Sequence, residues 1–180
     1  FPYNESKLKP YLKMATQRIK ISNNKRGTAS TKHKREIAKL LEDGKAEKAI
    51  IRIEHVIRDD YTMEAYEIIE LMCDLLYERA RHLTKSELCP PDLVEAVSTV
   101  VWAASRVDIA ELEGAKKQLS KKYGKEFCEL CEENSRNTVN TRVMHKLNVS
   151  PPSNLLIRSY LQEIAKEYNV EWDDESFPIQ

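Results

Sequence analysis

The residues that could do chemistry concentrate in two short stretches. In IIRIEHVIRDD (residues 50–60), Glu54, His55, Asp59 and Asp60 stand beside Arg52 and Arg58. His55 and Asp59 are four residues apart, so one helix face could present both to a metal ion or a proton. A zinc site needs a third or fourth ligand, and nothing in the sequence fixes His33 or His145 nearby. On a helical wheel His55 lies off the main apolar stripe, as a solvated or inter-helix histidine does. The second stretch is Cys128-Glu-Leu-Cys131, the spacing of zinc knuckles and redox centres. A knuckle needs a second pair, whereas Cys73 and Cys89 are singletons, and a redox centre needs a strand–helix–strand context that the pattern lacks. Two cysteines one turn apart are read as small core residues. Nucleophile signatures, phosphate-cradling loops and paired-carboxylate motifs are missing, and the 4 glycines never cluster. No catalytic residue, cofactor or metal ligand is therefore expected, and an enzyme is not the reading.

The elements around those stretches are helical. Over 180 residues, 32% are charged and no strand alternation, repeat or low-complexity segment appears. The first helix is expected over Lys7–Asp43, with Leu8, Leu12, Ala15, Ile19, Ile37, Leu40 and Leu41 in period and Pro10 in its first turn. EDGKAE, with Gly44, reads as a tight turn. The second helix is expected over Ala46–His82. It carries one stripe of Ala46, Ile50, Ile53, Ile57, Ile68, Leu71 and Leu75, and a second patch of Ile51, Ile69, Cys73 and Leu76. A helix apolar on two faces packs on two sides. Shorter helices follow in CPPDLVEAVSTVVWAAS, in VDIAELEGAKKQLSKKYG ending at Gly124, in KEFCELCEEN, partly in TVNTRVMHKLNV, and in PPSNLLIRSYLQEIAKEYNV with Ser153 or Asn154 as N-cap. The expected fold is all-α: a long antiparallel hairpin of the first two helices with shorter helices packed along it. A single domain is expected over 1–170, with an acidic, flexible tail over 171–180.

Charge is zero overall and uneven along the chain. Residues 1–58 carry 15 basic and 6 acidic side chains, and residues 59–180 carry 14 and 23. Lys13, Arg18, Lys20, Lys25, Arg26, Lys32, Lys34 and Arg35 are spaced along the first helix, where they could meet an anionic surface: lipid headgroups, an acidic protein face or nucleic acid. No aromatic platform or known module accompanies the charge, so nucleic acid is not expected as the partner. A basic helical module acting on its own on nucleic acid or anionic lipid is the alternative function. Nothing is apolar for long enough to span a membrane, no signal peptide is expected, and the cysteines suit a reducing compartment.

Several blocks in register carry a family resemblance. REIAKLLEDGKAEKAIIRIEHVIRDDYTMEAYEIIELMCDLL, VSTVVWAASRV, KKYGKEF, NTVNTRVMHKLNV and LLIRSYLQEIAKEYNV together resemble the N-terminal domain of the increased-sodium-tolerance (Ist) family, divergent members of the ESCRT-III proteins. The resemblance runs from about Ser6 to Trp172. It implies the ESCRT-III core fold and a cytoplasmic protein recruited to endosomal membranes and the division site. There it would act in endosomal sorting, multivesicular body formation and cytokinesis. It implies co-assembly with other ESCRT-III subunits, binding of the C-terminal helix of a Did2-type (charged multivesicular body) subunit, and regulation of the disassembly AAA ATPase. That regulation would be indirect or through a C-terminal segment not contained in this sequence.

Two residue sets follow as expectations. The last helix is expected to pack on the hairpin through Ile157, Leu161, Ile164 and Tyr168, leaving Tyr160, Glu163, Lys166 and Glu167 as a rim for a partner helix. Asp60 falls inside the apolar sector of the second helix with Glu64 one turn on, and folding about Gly44 sets Asp60 opposite residues 25–33. An inter-helix clasp of Asp60 or Glu64 with a basic group of the first helix is therefore expected, because a carboxylate there should not stay buried and unpaired.

Overall fold

A computed structural model of the chain describes residues 2–174 and 177. Among these residues there are helices and connecting segments, without strands: α1 (Glu5–Glu42), α2 (Ala46–Glu78), α3 (Ala80–Lys85), a 3₁₀ turn (Pro91–Leu93), α4 (Val94–Ala104), α5 (Glu111–Tyr123), α6 (Lys125–Glu133), α7 (Thr141–Lys146) and α8 (Asn154–Glu167). The expected all-α fold is the observed one, and α1 and α2 pack antiparallel. Contacts group the chain into two compact units. Unit 1 contains Phe1–Ser22 and Glu64–Leu147, and unit 2 contains Asn23–Met63 and Asn148–Gln180.

The helix ends follow from side-chain chemistry. Asn4 accepts from the backbone N–H of Ser6 at 2.9 Å, so α1 starts two residues earlier than the sequence pattern gave and Pro10 sits inside it. At the other end Gly44 takes φ +74°, and the N–H of Lys45 reaches the carbonyl of Leu40 at 2.8 Å. That six-to-one closure with a left-handed glycine stops a helix abruptly. The second helix is interrupted at Arg79, whose guanidinium donates to Asp92 at 2.7 Å, and α3 continues beyond it to Lys85. Asn140 caps α7 by accepting from Val143 N–H, and of the two candidates for α8 it is Ser153 that caps, accepting from Leu156 N–H at 3.2 Å.

Unit 1 buries Leu8, Leu12, Ala15 and Ile19 of α1 against Ile69, Cys73 and Leu76 of α2, Val97, Val100 and Val101 of α4, and Leu112 and Leu119 of α5. Every residue of α4 from Ala96 to Ala104 is buried, as expected of a helix that is apolar all round. Unit 2 buries Ile37, Ala38 and Leu41 of α1, Ala49, Ile53, Val56 and Ile57 of α2, and Ile157, Leu161, Ile164 and Ala165 of α8. Each such Leu or Ile contributes about 1.5–3 kcal/mol by leaving water.

The two apolar faces of α2 are both used, in different units. Ile53 and Ile57 of the first stripe are buried in unit 2; in unit 1 the buried residues are Ile69, Cys73 and Leu76 of the second patch. Leu71 of the first stripe is 66% exposed and Ile51 of the second is 71% exposed. Which face is covered depends on which short helices pack there, and that is a tertiary property.

Beyond α8, Val170, Trp172 and Phe177 pack partly buried on the unit 2 core. Asp174 accepts from Arg158 Nε at 3.0 Å and from the Gln162 amide, both on α8. The remaining positions of the expected acidic tail, 175, 176 and 178–180, lie outside the described residues.

Candidate partner groove and basic helix face

The last helix makes one side of a groove in unit 2. Ile157, Leu161 and Ile164 repeat at helical spacing and are driven into the unit 2 core, which leaves Ser159, Glu163 and Glu167 facing outward. Lys34 of α1 faces them, and the groove between holds a cavity of about 180 Å³ lined by Lys34, Ser159, Tyr160, Glu163, Ile164 and Glu167. Tyr160 is half-buried, with its ring packed on the core and its hydroxyl donating to Asp60 Oδ2 at 2.9 Å. The floor is apolar, from Ile164 and the Tyr160 ring. The rim carries two carboxylates one turn apart on α8 and an ammonium on α1. Such a groove can seat a large apolar side chain and pair a basic residue one turn away on a docked helix.

Three of the four expected rim residues therefore line one groove: Tyr160, Glu163 and Glu167. Lys166 is exposed and is not among the lining residues. Lys34 and Ile164 line it too. Lys34 belonged to the basic set by sequence, and its place opposite α8 is set by packing.

The clasp is built differently from the expectation. Asp60 accepts from Tyr160 rather than pairing with α1, and Glu64 faces Lys146 at 3.0 Å and Arg142 at 3.7 Å, both on α7. The ion pairs that join α1 to α2 in unit 2 are Arg26 with Asp59, at 4.0 Å, and Glu36 with Arg52, at 3.0 Å. The reason for the shift is α8: its tyrosine presents a neutral donor to Asp60, and Asp59, 100° round the helix, is left facing α1. Asn23 adds a further tie, donating to the carbonyl of Met63 at 3.1 Å.

The eight basic residues expected to form one surface divide into engaged and unengaged sets. In unit 1, Arg18 pairs with Glu111 at 2.7 Å and Lys20 with Glu70 at 3.7 Å, and Lys13 lies over the Tyr77 ring at 5.6 Å. The Arg18 hydrogen bond holds the Glu111 carboxyl below the usual range, while burial pushes Glu70 up despite Lys20. In unit 2, Arg26 is held by Asp59 and Lys34 lies in the groove. Lys25, Lys32 and Arg35 are exposed and lie outside every ion pair found among the described residues. Lys25 and Lys32 are two turns apart, with Thr28 and Ala29 between them, so they share one helix face.

The CxxC is core. Cys128 and Cys131 are buried in unit 1, and the Cys131 thiol contacts Ser98 Oγ at 3.4 Å. Burial raises both thiols, and pushes Cys73 and Cys89 up to about 12, away from the thiolate chemistry a redox centre requires. Among the described residues no three His, Cys, Asp or Glu side chains form a metal-holding group, and no helix is long and apolar enough to cross a membrane. One juxtaposition escaped the sequence reading. His33 and His55 are equidistant in sequence from Gly44, and their rings meet edge to face with centroids 5.7 Å apart.

Fold and site together define a class: a helical protein whose long hairpin carries a helix-lined groove and a basic face. The comparisons give the family. Residues 9–171 match the family model described as "Ist1: Regulator of Vps4 activity in the MVB pathway", and the chain belongs to the Ist1 family. It is 37% identical over 176 residues to an IST1-like protein of Dictyostelium discoideum, covering 98% of this chain and 48% of that one. It is 32% identical over 173 residues to the vacuolar protein sorting-associated protein IST1 of Saccharomyces cerevisiae, covering 91% of this chain and 58% of that one. The chain thus spans about half the length of these relatives. The crystal structure of the S. cerevisiae Ist1 N-terminal domain in complex with the Did2 MIM motif superposes with a TM-score of 0.88 at 30% identity, over 100% of both chains.

Proposed function

We propose that this chain is a non-enzymatic ESCRT-III-associated subunit that binds the C-terminal helix of a Did2-type protein in the groove between Lys34 and α8. Through co-assembly with ESCRT-III proteins it regulates the AAA ATPase that takes their polymers apart. The observation that carries this reading is the groove itself, with an apolar floor and a charged rim along one helix of unit 2. The family description, a regulator of Vps4 activity, and the Did2 MIM motif bound to the S. cerevisiae domain support it. An apolar anchor of the partner helix fills the space over Ile164 and Tyr160, and a basic residue one turn away pairs with Glu163 or Glu167. Catalysis by this chain plays no part in the reading. Its work is to hold surfaces together at endosomal membranes and at the division site, in multivesicular body formation and cytokinesis.

Lys25, Lys32 and Arg35 are the surface by which the assembled protein meets an anionic partner. At a negatively charged membrane each such cation contributes about 1 kcal/mol. The reading is tested by titrating the Did2-type C-terminal helix into the purified domain: a saturable one-to-one complex is the expected result, and absence of binding counts against it.

A further inference from the structure

Unit 1 holds a cavity that the partner groove does not use. Its volume is about 340 Å³, within the range of about 300–1,000 Å³ that small-molecule sites occupy. Its walls come from the segment between α3 and the 3₁₀ turn, from α4, from the adjoining ends of α5 and α6, and from the segment between α6 and α7. Gly124 makes the α5–α6 join. At φ +96° it ends one helix and starts the next, and Tyr123 and Phe127 on either side of it come to one wall with ring centroids 5.3 Å apart.

The interior offers a ligand mainly apolar surface. Thr138 donates to Ser98 Oγ at 2.8 Å and the Cys131 thiol donates to the same oxygen at 3.4 Å, so the polar groups at the back of the cavity satisfy one another. Val94, Phe127 and Leu130 supply the apolar walls, and Leu88 beside them is 82% exposed. Tyr123, in the same wall, has a buried hydroxyl without a hydrogen-bond partner, which a wall shaped for packing alone rarely carries. The charged lining is cationic on balance. Lys122 Nζ is held by a bond to the Thr84 carbonyl at 3.0 Å and keeps two further donors. Arg136 is exposed and outside every ion pair found among the described residues. Against these two cations stands one lining carboxylate, Glu87, which is exposed. Apolar walls with that charge balance favour an apolar body that carries a negative charge over one that carries a positive charge.

We propose that this cavity binds a small amphipathic acid, with its apolar body seated among Val94, Phe127 and Leu130 and its carboxylate paired with Lys122 and Arg136. Burial of the body supplies the affinity, and the guanidinium, which can contact both oxygens of a carboxylate, fixes which end points out. At this volume the occupant is a single-chain acid free in solution rather than a two-chain lipid held in a bilayer.

The test is fluorescence titration of the purified protein with anilinonaphthalene sulfonate, an aromatic body with one anionic group. Decanoate is the competitor, and decyltrimethylammonium, with the same chain and the opposite charge, is the control. The expected result is one saturable probe per chain, displaced by decanoate and not by the cation. Val94→Phe, which fills the cavity, and Arg136→Glu, which reverses a lining charge, should each weaken probe binding by about tenfold or more. Tyr160→Ala, in the partner groove, should leave it unchanged. Circular dichroism checks each fold, and Arg136→Glu, at an exposed position, decides the matter if Val94→Phe fails to fold. Uptake without saturation, equal displacement by decyltrimethylammonium, loss of binding in Tyr160→Ala, or undiminished affinity in either folded cavity variant would overturn the proposal.

Discussion

Gly27 and Gly114 are both interior helical glycines, and the same substitution at the two positions should have opposite effects. A Cβ at Gly114 of α5 would stand 2.3, 2.4 and 2.6 Å from three atoms of the Tyr11 ring, which lies on α1 in the same unit. Carbon atoms need about 3.5–4.0 Å, so the ring must retreat by more than an ångström. Tyr11 is half-buried against the unit 1 core, and forcing such a side chain aside costs about 1–3 kcal/mol. Against this, replacing a helical glycine by alanine gains about 0.5–1 kcal/mol. The net expectation for Gly114→Ala is a loss of about 1–2 kcal/mol. At Gly27 nothing lies within 4 Å of the added carbon, so only the gain remains and Gly27→Ala should stabilise by about 0.5–1 kcal/mol. Urea denaturation followed by circular dichroism reads both. A double-mutant cycle adds the cause: in a Tyr11→Ala background Gly114→Ala should cost nothing or stabilise. Equal effects at the two glycines, or an unchanged penalty in the Tyr11→Ala background, would refute the close-approach argument.

Three further outcomes follow from charge and burial. Iodoacetamide at about pH 8 should label native Cys73 and Cys89 orders of magnitude more slowly than a free thiol, because burial holds both near 12, and unfolding in urea should release all four cysteines to rapid labelling. Glu111, held by Arg18, and Glu132, held by Lys116, are depressed in the native state, so their stabilisation is present above the ordinary carboxylate range and is lost as pH falls through their native values. The thermal midpoint should therefore drop below about pH 4.5, and less steeply in Glu132→Gln, although Glu70, raised by burial, works in the other direction; a midpoint flat from about pH 6 to 3 would contradict this. A Lys25→Glu, Lys32→Glu, Arg35→Glu variant should fold normally and lose most of its sedimentation with acidic liposomes at low salt. Arg18→Glu should be milder on liposomes because that guanidinium is already committed to Glu111.

The helices were legible in the sequence because apolar spacing is a local signal, and the turn at Gly44 because a left-handed backbone position has few tenants. The start of α1 was misplaced because the capping residue, Asn4, precedes the apolar stripe. Gly114 lies inside an expected helix, and its spacing gives no sign that it admits a tyrosine from another helix. Asp60 was placed near α1 by folding two helices against each other; the third helix, α8, decides its partner. Leu71 and Leu75 belong to a convincing wheel stripe and are solvent-exposed, because a wheel shows which residues share a face and says nothing of what covers it. The groove was half legible. Tyr160, Glu163 and Glu167 follow from α8's own periodicity, but Lys34 enters only once α1 and α8 are packed together.

The central claim is that a helical partner docks in that groove, and the most direct measurement is calorimetric titration of a Did2-type C-terminal helical peptide into four proteins: unaltered, Tyr160→Ala, Glu163→Lys and Lys25→Glu. Glu163 is exposed and outside every ion pair found among the described residues, so its reversal leaves the fold intact and isolates the rim. Loss of the Tyr160 ring removes the floor, and circular dichroism controls for its bond to Asp60. The account expects Tyr160→Ala and Glu163→Lys each to weaken binding by about tenfold or more, equivalent to about 1.4 kcal/mol, with Lys25→Glu unchanged. Undiminished affinity in both groove variants, with the proteins folded, would contradict it.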